Sequence, residues 1–149
     1  MKTIKAIALG LIVASTVAST PATTALAASK SLDAEFRRSD IRMPTTMKAG
    51  QKYDVVIKVK NSGDIRWQGR QFRMKGKIRR SPSGAPAQRE ELTPDVDLVS
   101  VVNTGEVWDC HFSVHAPTWT GHYELQYSMA EGNNEFGDKV DVDVDVVGK

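Results

Sequence analysis

The chain has 149 residues, with 20 lysines and arginines against 18 aspartates and glutamates, and a single cysteine. One cysteine excludes an internal disulfide, so an exported fold has to stand on its apolar core. The formal charge of +2 resides in Lys2 and Lys5, which lie in a segment expected to be removed, so the basic balance gives no reason to expect nucleic acid or an anionic membrane as partner.

Residues 1–27 read as a cleaved signal peptide. Lys2 and Lys5 precede an apolar stretch from Ala6 to Val17, and Ala25-Leu26-Ala27 supplies the small residues that signal peptidase accepts, with cleavage after Ala27. Ser15 and Thr16 interrupt the stretch, which falls short of the roughly 20 residues that span a bilayer. The expected product is soluble, without a stable membrane anchor, and periplasmic or extracellular. Its 122 residues suit one domain, with a segment and first strand over 28–50 continuous with a body over 51–149.

Ala34 to Ile41 is predicted as an irregular first strand, and Met43 to Gly50 as a connection. Tyr53, Val55, Ile57 and Val59 then recur with the period of two that marks a half-buried strand. That strand stops at the turn cluster Asn61-Ser62-Gly63-Asp64. Trp67 follows. Phe72, Met74 and Ile78 alternate with Arg73, Lys75, Lys77 and Arg79, predicting a strand whose outer face is a row of cations. Ser81 to Gln88 reads as an exposed loop.

Val96 to Val102 and Glu106 to Val114 are predicted as two strands of a hairpin turning at Asn103-Thr104-Gly105. Tyr123, Leu125 and Tyr127 mark the next strand. Gly132-Asn133-Asn134 turns the chain into the last, where Val140, Val142, Val144 and Val146 alternate with Asp141, Asp143 and Asp145. About seven short strands separated by turn chemistry predict an all-β antiparallel sandwich of immunoglobulin-like type.

Several groups are candidates for function. The cationic row Arg73, Lys75, Lys77 and Arg79 and the acidic row Asp141, Asp143 and Asp145 suit an ionic partner. From Lys30 to Arg89 there are 16 basic and five acidic residues, and from Glu90 onward 13 acidic and two basic, so the two halves carry +11 and −11. Opposite charges then either pair across neighbouring strands or occupy separate surfaces, which would allow salt-sensitive self-association. Trp67 is read as a core cap or a binding residue. Trp119, between Pro117 and Gly121, is read as a lid on the sandwich or an anchor for a partner.

No catalytic motif is present: there is no nucleophile elbow, no zinc-protease helix and no phosphate loop. No enzyme activity, cofactor or metal is expected. Cys110, His115 and Met129 are the right types for a copper carrier, but their spacing suits one poorly. Met43-Pro44-Thr45-Thr46 offers a weaker alternative as the loop of a small immunoglobulin-like protease inhibitor.

The order Val59-Lys60-Asn61-Ser62-Gly63, Trp67, Ala116-Pro117, Gly121, Tyr123 and Phe136-Gly137-Asp138 resembles the four-tryptophan (FW) immunoglobulin-like domain. That domain is the central module of a eukaryotic selective-autophagy receptor and has looser bacterial relatives. The resemblance spans about Lys52 to Val147. Of the four tryptophans, Trp67 stands in place, while Ile57, Tyr127 and Asp141 fill the other positions and Trp108 and Trp119 lie off the pattern. The resemblance implies a non-catalytic module that recognises a protein or an extracellular polymer.

Overall fold

The computed structural model describes residues 30–86 and 92–149. The expected signal peptide and the end of the loop after Pro86 lie outside the described residues. Ten strands follow one another: β1 (Ala34–Arg42), β2 (Thr46–Lys48), β3 (Lys52–Asn61), β4 (Trp67–Gln68), β5 (Phe72–Arg80), β6 (Val96–Asp97), β7 (Val101–Val102), β8 (Val107–His115), β9 (Gly121–Glu131) and β10 (Asn134–Val147). A smaller sheet runs β1-β3-β8, a larger one β2-β10-β9-β5-β6, and β4 pairs separately with β7. Among the described residues no helix is long and apolar enough to cross a membrane.

The two sheets close on one core, as the alternation predicted. The smaller sheet supplies Val55, Ile57 and Val59 from β3 and Trp108, Cys110 and Val114 from β8. The larger supplies Phe72 and Met74, then Tyr123, Leu125, Tyr127 and Met129, and the four valines of β10. Burying each large aliphatic side chain contributes about 1.5–3 kcal/mol, so a dozen such positions outweigh any surface charge pair. Trp67, wholly buried, closes one end of the core against Phe72 and Phe136, with ring centroids 6.5 and 5.6 Å away.

Three departures from the sequence reading have identifiable causes, and one expectation is met among them. The stretch Met43 to Gly50 contains β2, which lies parallel to β10 from Asp145↔Thr46 to Val147↔Lys48; a long-range pairing of three residues leaves no periodic trace. Asn103-Thr104-Gly105 does not close a hairpin, because β7 pairs with β4 and β8 pairs with β3. The first strand is irregular as expected, its register on β3 breaking between Phe36 and Ile41. On β5 the register shifts between Ile78 and Arg80, so Arg79 is the extra residue of a bulge.

Asn61 ties these parts together. Its side-chain Nδ2 donates to the carbonyls of Ile65 (2.9 Å) and Val102 (3.1 Å), and its Oδ1 accepts from the Gly63 amide (3.2 Å). Its own backbone donates to Glu106 O at 2.9 Å and accepts from Gly105 N at 2.7 Å. One fully buried amide therefore fixes the turn after β3, the end of β7 and the entry to β8. Two glycines admit close backbone passage. A Cβ at Gly63 would lie 2.5 Å from Asp33 N and Ser31 O, and one at Gly137, where φ is +69°, would strike the backbone of Ala34.

Two sets of substitutions test this frame by urea unfolding. Asn61→Ala should lower stability by about 2–4 kcal/mol, since it strands two carbonyls as well as leaving a void. Gly137→Ala, with both the positive φ and the collision, should cost at least about 3 kcal/mol, whereas Gly132→Ala should cost about 1 kcal/mol from conformation alone, because nothing lies within 4 Å of its Cβ. Equal losses at the two glycines would contradict the close approach of β1.

Candidate functional site

The candidate residues on β5 and β10 meet on the outer face of the larger sheet. Because β9 lies between these strands, its register fixes their columns: Lys77 opposes Gln126, which opposes Asp141, and Arg80 opposes Glu124, which opposes Asp143. The cationic and acidic rows thus share one face, about 10 Å apart at two strand spacings. The bulge corrects the row itself. It removes Arg79 from the register and brings in Arg80, so the cations that face β9 are Arg73, Lys75, Lys77 and Arg80.

Most of these charges are answered within the chain. Arg80 Nη1 lies 2.7 Å from Glu124 Oε1, Arg73 Nε 3.8 Å from Asp97 Oδ1, and Lys77 Nζ 3.7 Å from Glu135 Oε2. Lys139 Nζ also holds Glu135 at 2.7 Å, and this bond keeps the Glu135 carboxyl below its usual range despite some desolvation. Gln126 Nε2 donates to Asp141 Oδ1 at 2.8 Å. Arg38 Nη2 approaches Asp143 Oδ2 at 3.9 Å. Exposed pairs of this kind contribute about 0–1 kcal/mol each, so they neutralise the face more than they stabilise the fold.

Lys75 is the cation of the row with no direct ion pair among the described residues. It lines a groove of about 500 Å³ with Lys77, Thr93, Pro94, Asp95, Ser128 and Glu135. A smaller hollow of about 290 Å³ lies at the opposite edge, between Arg38, Ile41, Thr45 and the three aspartates of β10. The face therefore offers a mixed-charge groove at the β5 edge and an acidic hollow at the β10 edge. Trp119 is placed apart, at the end of the sandwich. It is 46% exposed, its ring would lie 3.6 Å from a Cβ on Gly84, and its carbonyl accepts from the Tyr123 hydroxyl at 2.8 Å.

His122, which the sequence reading passed over, completes the acidic edge. Its Nδ1 lies 2.8 Å from Asp145 Oδ1 and its Nε2 3.7 Å from Asp143 Oδ1. The bond to Asp145 raises its pKa above the ordinary 6.5, and the negative charges of Asp145, Asp143 and Glu124 add to the effect. His122, Glu124 and Asp143 bring their ligating atoms within 4.8 Å of one another, the grouping among the described residues able to hold a divalent ion. Spacing reveals that His122 and Glu124 share a face. Only the register of β9 on β10 shows that Asp143 joins them.

The other candidates are dispersed. Trp67 is fully buried and presents nothing to a partner, because the turn before it folds it into the core. Cys110 is buried on β8, where loss of solvent pushes its thiol up to about 12, while His115 is exposed on the opposite parity of the same strand. Met129 lies in the core on β9. The copper-type trio is not assembled. Met43 is buried, and the carbonyl of Thr45 accepts from Asp145 N at 2.8 Å, so the stretch Met43 to Thr46 lies against β10 instead of projecting as an inhibitory loop.

With this geometry in view, comparison places the chain among known domains. The family described as the Ig-like domain from next to BRCA1 gene matches residues 40–146. Among solved structures, the chain is similar to the solution NMR structure of the CARDB domain of a Pyrococcus furiosus protein, with 20% identity, 79% of this chain and 95% of that chain covered, and a TM-score of 0.51. A crystal structure of a Pyrococcus furiosus CARDB domain in complex with di-metal ions shows 21% identity, covers 79% and 89%, and has a TM-score of 0.49. No curated protein matches the chain in sequence.

The environment of His122 fixes a direction for pH dependence. Because its pKa is raised in the folded state, the stabilisation it brings is fully present below about pH 6.5 and is lost as pH rises through the raised value. An NMR titration of the imidazole should have its midpoint above 6.5, and Asp145→Asn should move it down. A midpoint unaltered by that substitution would contradict the Nδ1 contact.

Proposed function

The chain belongs to that family of Ig-like domains, and on that premise we propose that it is an exported, non-catalytic binding module of the FW type, which recognises a protein or an extracellular polymer. The observation that carries the reading is the outer face of the larger sheet, where Lys75 stands beside a groove with both basic and acidic walls. A ligand with alternating or paired charges fits such a groove better than a uniformly anionic polymer does, because Glu135 and Asp95 would repel the latter. Trp119 at the sandwich end extends the contact with a large half-exposed aromatic.

Export is supported by the signal-like segment of residues 1–27. The domain core needs no disulfide for this role, since its one cysteine is buried and unpaired. Ionic recognition on an open face implies strong dependence on salt, because exposed charges are screened over about 8 Å at physiological ionic strength. The same screening applies to salt-sensitive self-association through this interleaved face, where the cations of one copy would meet the aspartates of another.

The test is capture of partners from the native extracellular fraction, followed by affinity measurement with the captured species. Lys75→Glu with Lys77→Glu should weaken binding by about tenfold or more, whereas Arg79→Glu, on the bulge, should leave it near the wild-type value. Binding should also weaken steadily as salt is raised. Retention by the double variant at wild-type affinity would refute a contact through the groove.

A further inference from the structure

The four outer edges of the two sheets are not protected alike. The larger sheet ends in β2, of three residues, and β6, of two; the smaller ends in β1, whose register breaks between Phe36 and Ile41. Short and interrupted edges resist pairing with a foreign strand. The fourth edge is β8, nine residues long, in unbroken register with β3 from Lys52↔His115 to Lys60↔Val107. Its sequence, Val107-Trp108-Asp109-Cys110-His111-Phe112-Ser113-Val114-His115, contains no lysine, arginine, proline or glycine. Among the described residues no strand pairs with its other side.

Which backbone groups that edge presents follows from the ladder. Asn61 N bonds Glu106 O at one end, and Ala116 N bonds Gln51 O at the other, at 2.8 Å. Bonding alternates along an antiparallel pair. Trp108, Cys110, Phe112 and Val114 therefore bond to β3, while the amides and carbonyls of Val107, Asp109, His111, Ser113 and His115 point away from it. The side chains of those same five residues lie on the outer surface, with Val107 53% exposed.

We propose that β8 pairs with β8 of a second copy of this chain, antiparallel about a two-fold axis through Cys110, joining two smaller sheets into one of six strands. The match of a carboxylate acceptor to an imidazole N–H donor selects both the occupant and the register. With the axis at Cys110, Asp109 opposes the partner's His111 and His111 opposes the partner's Asp109, and Val107 opposes the partner's Ser113. An axis at His111 would instead set imidazole against imidazole. All the outward-directed groups from Val107 to Ser113 then find partners, giving about eight backbone hydrogen bonds. Asp109 already has Lys58 Nζ at 3.5 Å within its own chain, which leaves a carboxylate oxygen for the incoming imidazole. This interface lies on the sheet opposite the groove, so it is independent of the binding reading above.

Sedimentation velocity on the full chain, from micromolar to sub-millimolar concentration, tests the proposal. The expected result is a concentration-dependent dimer, with amide exchange at Asp109, His111 and Ser113 slowing as it forms. His111→Pro deletes a donor on the free edge without touching the bonds to β3, and it should weaken the dimer about tenfold or more while the thermal unfolding midpoint of the monomer changes little. If that variant misfolds, Asp109→His and His111→Asp give a second test. Each alone should weaken dimerisation, and D109H/H111D together should restore it. A chain that stays monomeric throughout, or a dimer that none of these substitutions alters, would overturn the proposal.

Discussion

A single buried amide, that of Asn61, governs how this sandwich is closed. The chain leaves β3 at Asn61, makes the turn that delivers Trp67 to the core, crosses the larger sheet and returns through β7 to β8. Nδ2, Oδ1 and both backbone groups of Asn61 are bonded along this route, to Ile65, Val102, Gly63, Glu106 and Gly105. A buried polar group so fully satisfied specifies one arrangement, because any shift of the turn or of β7 would leave donors and acceptors unmet away from water. The positions of Trp67 and of the start of β8 both follow from it.

The larger sheet is then organised by β9. As the strand between β5 and β10, it is flanked along both edges, and even its outward residues Gln126, Ser128 and Ala130 are buried. It also separates the basic and acidic halves of the chain by one strand, and its own Glu124 and Gln126 bond toward either side. The opposite charges of the two halves are thereby interleaved on one surface, and the face is patterned, with neither pole dominating. Among the described residues, Lys75 at the groove is the cation of this face left without a direct ion pair, while Asp143 and Asp145 gather about His122.

How much of this can be read from residues alone varies with the range of the interaction. The parity of Val55, Ile57 and Val59, or of the four β10 valines, shows inward and outward faces because a pleat has a period of two. The turn at Asn61-Ser62-Gly63 is legible for the same local reason. Arg79 falls in the cationic row only when parity is carried through a bulge that no residue there announces. Trp67 suits recognition as well as packing until its neighbours Phe72 and Phe136 are in place.

The sequence by itself therefore determined which residues face inward, where the chain turns, that the domain is all β, and that no internal disulfide holds it. Only the tertiary structure decided that β5 and β10 flank β9, that β2 runs parallel to β10, that Arg80 takes the place of Arg79, and that His122 meets Asp143 and Asp145. The physical reason is that face and turn are set by bonds and sterics within a few residues, whereas strand order and register are set by contacts between residues far apart in the chain.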